Sequence, residues 1–230
     1  MSETQALNEQ SPAPEAHQGP RFIAVEGPIG VGKTSLARRL AETFGYDLLL
    51  EKPEENPFLA RFYENPRQHA LATQLFFLFQ RARQIQDMRQ EDLFTPVHVT
   101  DFLIDKDSLF ARQNLDTDEF RIYQQVYDHL TIDAPVPDLV LYLQAPTPVL
   151  LNRIQKRGIA AEQQISAEYL ERLNTAYTEY FHYFDRAPLL IVNSSEIDLV
   201  NNDHDYQQLV DQVLSSPQGT HYFNPAPTLL

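Results

Sequence analysis

Between Arg21 and Phe44 the chain sets down three things in succession: a short apolar run, RFIAVE over 21–26; a turn with three glycines in six residues (Gly27, Gly30, Gly32); and Leu36, Ala37, Leu40, Ala41 and Phe44 at helical spacing. The whole chain has only seven glycines. A sequence sparing with glycine that clusters it here is specifying a backbone path that residues with a Cβ rarely follow. The turn reads Gly27-Pro28-Ile29-Gly30-Val31-Gly32-Lys33-Thr34 and fits G-x-x-x-x-G-K-[ST]. Between an expected strand and an expected helix, that pattern forms a phosphate-binding loop. Its backbone N–H groups converge on phosphate oxygens, the helix N-terminus adds positive potential, Lys33 reaches the outer phosphates and Thr34 can ligate Mg²⁺. A nucleoside triphosphate and Mg²⁺ are implied; the reaction is not, because switches, ATPases and kinases share the loop.

The remaining sequence repeats the alternation. Further strands are expected at 46–51, 97–101, 138–144 and 189–192, with helices at about 67–92, 106–113, 116–131, 146–156, 167–184 and 203–214. This order predicts an α/β fold, a doubly wound parallel five-stranded sheet with helices on both faces. Residues 1–20, polar and punctuated by proline, are expected to be a disordered leader; 21–214 form the domain; 215–230, with three prolines and a glycine, are expected to be an irregular C-terminal extension. Ligands of such folds sit beyond the carboxyl ends of the strands. The first residues to inspect are therefore those after Glu26, Glu51, Asp101 and Gln144.

Composition narrows the partners. A formal charge of −14 disfavours a nucleic-acid partner, although the two ends carry −8 of it and leave 21–186 at only −6, with room for a local basic site. The chain has no cysteine, which rules out disulfides, thiol nucleophiles and thiolate metal sites. With no apolar run of membrane-spanning length and no basic–apolar leader, the expectation is a cytoplasmic protein without a membrane partner.

Beyond the loop, Glu51 is followed by Lys52-Pro53-Glu54-Glu55-Asn56-Pro57-Phe58-Leu59; Phe62-Tyr63 precede Asn65-Pro66; Gln74 and Arg81 lie two turns apart on the long helix; Asp101 closes the third strand, with Phe110-Ala111 after it; and Arg153-Ile-Gln-Lys-Arg157-Gly158 follows the fourth strand. In order and near-spacing these resemble the motifs of the deoxynucleoside kinase family, especially its bacterial purine-preferring branch, from about Arg21 to Leu214. The resemblance implies a P-loop kinase fold, ATP with Mg²⁺, transfer to the 5′-hydroxyl of deoxyadenosine or deoxyguanosine, and a homodimer.

Phosphorylating a sugar hydroxyl needs a carboxylate within reach of its proton, and Glu51, at a strand's carboxyl end beside the loop, is the candidate base. By resemblance, Asp101 helps hold Mg²⁺ and the reacting end of the nucleoside. Gln74 and Arg81, with Asp107 steadying the arginine, read the base edge, and Phe110 stacks on it. Tyr63 and Glu162 bind the sugar 3′-hydroxyl, and Arg153 and Arg157 close over the triphosphate. Taken singly, each has a plainer reading: a solvated acid, a strand-end turn residue, a core phenylalanine, or exposed arginines at i, i+4. The chain departs from the family pattern at Phe102 and Ile159, where arginines are usual. Lys106 is a possible substitute for the first. A thymidylate-type monophosphate kinase and a nucleotide-binding regulatory module without turnover are the competing readings.

Overall fold

β1 (Phe22–Glu26) carries almost unbroken apolar side chains because it is covered on both faces and flanked on both edges. The computed structural model describes residues 19–91, 97–130, 134–215 and 218–225. Around β1 a parallel sheet is built from β2 (Asp47–Leu49), β3 (His98–Thr100), β4 (Leu139–Gln144), β5 (Leu189–Asn193) and β6 (Thr220–Phe223), in the order β2-β3-β1-β4-β5-β6. The helices between them are α1 (Lys33–Phe44), α2 (Leu59–Glu64), α3 (Pro66–Glu91), α4 (Lys106–Asn114), α5 (Thr117–His129), α6 (Thr147–Arg157), α7 (Ala167–His182) and α8 (Asp203–Leu214).

Side chains alternate across the sheet with period two. Ile23 and Val25 of β1 and Leu139, Leu141 and Leu143 of β4 pack with Leu36, Leu40, Leu150, Ile154, Leu209 and Val213 from α1, α6 and α8. Ala24, Val140 and Tyr142 face the opposite way, onto Leu173, Tyr177 and Phe181 of α7. The doubly wound arrangement follows from two apolar faces that both need covering. A smaller cluster of Leu78, Ala111 and Tyr123 joins α3, α4 and α5.

One expectation needs correction. The sheet has six strands rather than five, and the sixth lies in the segment read as irregular: β6 pairs in parallel with β5, Leu189 opposite Thr220 and Val192 opposite Phe223. Its first three side chains are exposed and only Phe223 packs on the core. An edge strand of four residues therefore shows neither the apolar run nor the alternation by which strands are recognised. Residues 1–18 of the expected leader lie outside the described residues; Pro20, just before β1, is buried. No described helix is long and apolar enough to cross a membrane.

Local signals set the helix ends. Asp116 caps α5 by accepting from the N–H groups of Asp118 and Glu119, both at 2.9 Å, while Glu119 accepts from Asp116 N at 3.2 Å. Asp116→Ala, which removes this reciprocal pair, is expected to cost about 1 kcal/mol. Urea denaturation measures it, and the substitution should leave ligand binding alone.

Candidate active site

The turn after β1 has the backbone its glycines foretold: Gly27, Gly30 and Gly32 all have positive φ. α1 begins at Lys33 with no side chain capping its N-terminus and no acid in its first turn, so its free N–H groups face outward over the loop. The Lys33 ammonium rests on the loop itself, donating to Gly27 O at 2.7 Å and Pro28 O at 3.2 Å. Glu26 anchors the loop from below. Buried, it accepts from Gly27 N (3.0 Å), Leu103 N (2.8 Å) and the Tyr177 hydroxyl (3.0 Å), tying together β1, the segment after β3, and α7.

Beside the loop opens a cleft of about 830 Å³ lined by residues from the ends of β2 and β3 and from α2, α3, α4 and α7. Glu51, Tyr63, Gln74, Arg81, Asp101, Phe110, Arg157 and Glu162 all line it with Lys33 and Thr34. Residues as far apart as Lys33 and Glu162, 129 positions, thus converge on one space. Asp107 is fully buried behind the wall, where the Arg81 guanidinium bonds it through one nitrogen and Glu51 through another. The Lys106 ammonium, also buried, donates to the other oxygen of Glu51 at 3.0 Å. Asp101 accepts from the Thr34 hydroxyl at 2.5 Å and from Glu51 N at 2.8 Å, so one carboxylate positions the phosphate loop relative to the end of β2.

α3 braces the segment that carries Glu51. Gln84 donates to Leu50 O at 2.7 Å and Gln80 to Lys52 O at 3.2 Å, so the carbonyls on both sides of Glu51 are held along with its side chain. Asn56 is buried; it donates to Thr73 O at 3.2 Å and accepts from Phe58 N at 3.0 Å, which fastens the start of α2 to α3. The Gln74 side chain is buried at the cleft wall and makes no hydrogen bond among the described residues. Its amide is therefore available to a ligand edge.

Charge follows from this packing. Burial alone would raise the Glu51 pKa, but Arg81 and then Lys106 outweigh it and hold the carboxyl down at about 2. Burial lifts Asp107 to about 6 against the pull of Arg81. Lys33 falls to about 8 through burial and the neighbouring Lys106 charge, against Glu26, Glu51 and Asp101. Tyr63 is pushed up by burial and by Tyr169, Glu162 and Glu51, which places its hydroxyl among these groups.

Across the loop, a second cavity of about 1110 Å³ is lined by Gly30, Gly32, Arg153, Lys156, Arg157, Ser194 and residues 197–201. Arg153 belongs to this side. Its guanidinium donates to Ser194 O at 2.6 Å and Val31 O at 3.2 Å, stapling α6 to the loop, and it does not enter the cleft of Glu51. Arg157 lines both spaces and bonds Glu162 at 2.5 Å. The link from α6 to α7 includes a short 3₁₀ turn (Ala160–Gln164).

Phe102 is buried, does not line the cleft and faces an apolar cavity with Phe22, Leu49, Ile85 and Met88, its ring centroid 6.0 Å from the Arg81 guanidinium. Sequence reasoning assigned no site role to Thr73, Phe77 and Tyr169, and none to Phe62 beyond its place in a motif, yet all four line the cleft. Phe77 lies three positions from Gln74 and four from Arg81, a helical face that could have revealed it; Tyr169 comes from a helix distant in the chain and carried no local signal.

Thr34 and Asp101 fit a magnesium ion: a hydroxyl and a buried carboxylate side by side, with waters and ligand phosphates left to complete the shell. No group of three or more His, Asp or Glu suited to a metal occurs among the described residues.

Known proteins resemble this chain over most of its length. The family model described as deoxynucleoside kinase matches residues 23–216. A deoxyguanosine kinase of Bacillus subtilis (strain 168) is 36% identical over 198 residues, covering 84% of this chain and 95% of its own. A deoxyadenosine/deoxycytidine kinase of the same organism is 30% identical over 204 residues, covering 84% and 92%. Among solved structures, a deoxyadenosine kinase from M. mycoides with bound dCTP superposes with a TM-score of 0.73 at 25% identity, over 84% of this chain and 99% of that one. A family model matching residues 23–216, relatives 36% and 30% identical over most of the chain, and a shared fold lead to one conclusion: the chain belongs to the deoxynucleoside kinase family.

Proposed function

We propose that this kinase transfers the terminal phosphoryl group of ATP to the 5′-hydroxyl of a purine deoxynucleoside, deoxyadenosine or deoxyguanosine. The observation that carries the reading is the placement of Glu51: a carboxylate held by Arg81 and Lys106 in the wall of the cleft, beside Lys33 and Thr34 of the phosphate loop. The nucleoside occupies the cleft. Gln74 and Arg81 meet its base, Phe110 lies against the ring, and Tyr63 with Glu162 meets the 3′-hydroxyl. The relative named as a deoxyguanosine kinase supports the choice of a purine, and the one named as a deoxyadenosine/deoxycytidine kinase includes a purine beside a pyrimidine.

The donor lies across the loop, its base toward the second cavity and its phosphates over the N-terminus of α1, with Arg153 and Arg157 alongside. Thr34 and Asp101 would hold Mg²⁺, which when bound neutralises phosphate charge and orients the terminal group. Glu51 accepts the hydroxyl proton as the new bond forms. A homodimer in the cytoplasm belongs to the same reading, and sedimentation velocity tests the dimer. A panel of the four deoxynucleosides and their monophosphates, assayed with Mg·ATP and Mg·GTP, tests the reaction; no transfer to any deoxynucleoside overturns it.

The depressed pKa of Lys33 predicts a pH dependence. Only the protonated ammonium attracts phosphate, so kcat/KM for the donor should fall as pH rises through about 8. Bound phosphates raise the pKa of the same group, so kcat at saturating donor should hold to higher pH. Initial rates from pH 6 to 9.5 at limiting and at saturating ATP separate the two.

A further inference from the structure

We infer that Lys106 is a catalytic residue, a second phosphoryl-binding cation that Glu51 holds in readiness and releases as the reaction proceeds. The inference rests on the kinase reading above and adds to it a role for a residue outside the phosphate loop.

Lys106 is the first residue of α4, and its side chain is 5% exposed, a burial that a lysine tolerates only when paired. Its ammonium lies 3.0 Å from Glu51 and lines the same cleft as Lys33, Thr34 and Asp101. The two lysines come close enough for the charge of Lys106 to lower the pKa of Lys33. Two cations drawn together at the mouth of a phosphate loop have a common anion as their natural occupant. No cation comes from the position after Asp101, because Phe102 is buried against apolar neighbours.

The two cations on Glu51 are held differently. Arg81 is also bonded to the buried Asp107 and keeps a counter-charge whatever happens to Glu51. Among the described residues, Glu51 is the only carboxylate bonded to the Lys106 ammonium. In the transfer step a lone pair of the 5′-oxygen forms the new bond to the terminal phosphorus. The bond from that phosphorus to the bridging oxygen breaks, its electron pair leaving with the nucleoside diphosphate. The hydroxyl proton passes to Glu51. At that moment Glu51 becomes neutral and Lys106 loses its counter-ion, while negative charge gathers on the phosphoryl and bridging oxygens. An ammonium on a four-carbon stem, with three donors and no fixed plane, can turn from one to the other; a guanidinium pinned at both ends cannot.

The test uses the whole protein with Mg·ATP and whichever deoxynucleoside the parent turns over best. Lys106→Met, which fills the same space without charge, and Lys106→Ala are expected to lower kcat about 100-fold, with nucleoside affinity by calorimetry within threefold of the parent. Ethylammonium added to Lys106→Ala should restore rate in a saturable manner, a response that a merely structural role would not give, and Lys106→Arg should retain more rate than either neutral variant. A kcat within threefold of the parent in Lys106→Met, a loss of nucleoside affinity that accounts for the loss of rate, or failure of both ethylammonium and arginine to recover rate would each overturn the inference. If the parent itself transfers phosphate to no nucleoside, the kinase reading falls and this inference with it. Parent turnover with an undiminished Lys106→Met removes only the latter.

Discussion

Glu51→Gln is expected to lower kcat about 1,000-fold while leaving deoxynucleoside affinity within a few-fold of the parent. The substitution keeps the shape of the side chain and removes both its charge and its capacity to take a proton. General-base contributions of roughly 10²–10⁴ are usual, and here the lost base also organises Arg81 and Lys106. A carboxyl held at about 2 is a weak base towards a free alcohol. It suffices because the transferred phosphoryl passes through a loose transition state, so the attacking hydroxyl becomes acidic only once its bond to phosphorus is forming. The same value fixes the sign of the acid dependence: Glu51 is charged above about pH 2 and protonated below it, so its own titration should cost no activity between pH 5 and 7, and a fall in that range reports Asp107, held at about 6 behind Arg81. Single-turnover rates together with calorimetric nucleoside binding check the assignment. Full turnover with lost binding would show Glu51 to be a binding residue instead.

The second large effect concerns the loop's backbone. Gly27→Ala is expected to destabilise the fold by about 3 kcal/mol or more and to weaken ATP binding at least tenfold. Two causes act together. At φ +146° a Cβ is strongly disfavoured, and it would lie 2.5 Å from the carbonyl oxygen of Leu143 at the end of β4. That oxygen belongs to the central sheet and has nowhere to go, so the loop must move and lose its alignment over α1. Gly45→Ala is the control: φ is +66° but nothing lies within 4 Å, so about 1 kcal/mol is expected and no effect on ATP. Urea denaturation midpoints and ATP titrations of the two variants separate local strain from collision; equal losses would show that collision with β4 contributes nothing.

Much of this was legible in the chain. Strand, glycine turn and helix appear in the sequence because each has a local cause: a doubly covered strand is apolar throughout, a phosphate loop needs residues without a Cβ, and α1 buries one stripe. Asp116 and Glu119 likewise announce the start of α5. β6 went unseen because its stability comes from pairing with β5 rather than from buried side chains of its own. α2 is too short, at six residues, to show a period.

For the site the division is sharper. Resemblance to the family's motifs nominated Gln74, Arg81 and Asp101, and Glu51 stood out as well by its place at a strand's carboxyl end beside the loop. Neither could say which groups bond to which. Lys106 and Phe102 are four residues apart, and only the tertiary structure sends one into the cleft and the other into an apolar cavity. Arg153 and Arg157 occupy one helix at i, i+4, yet only Arg157 reaches the nucleoside cleft, while Arg153 staples α6 to the loop from the far side. The chain's own order of residues dictated the phosphate loop and the alternating fold, because those arise from backbone conformation and the burial of nearby side chains. The tertiary structure decided the charges of the site, because a carboxyl at about 2 and an ammonium at about 8 depend on partners brought together from distant segments.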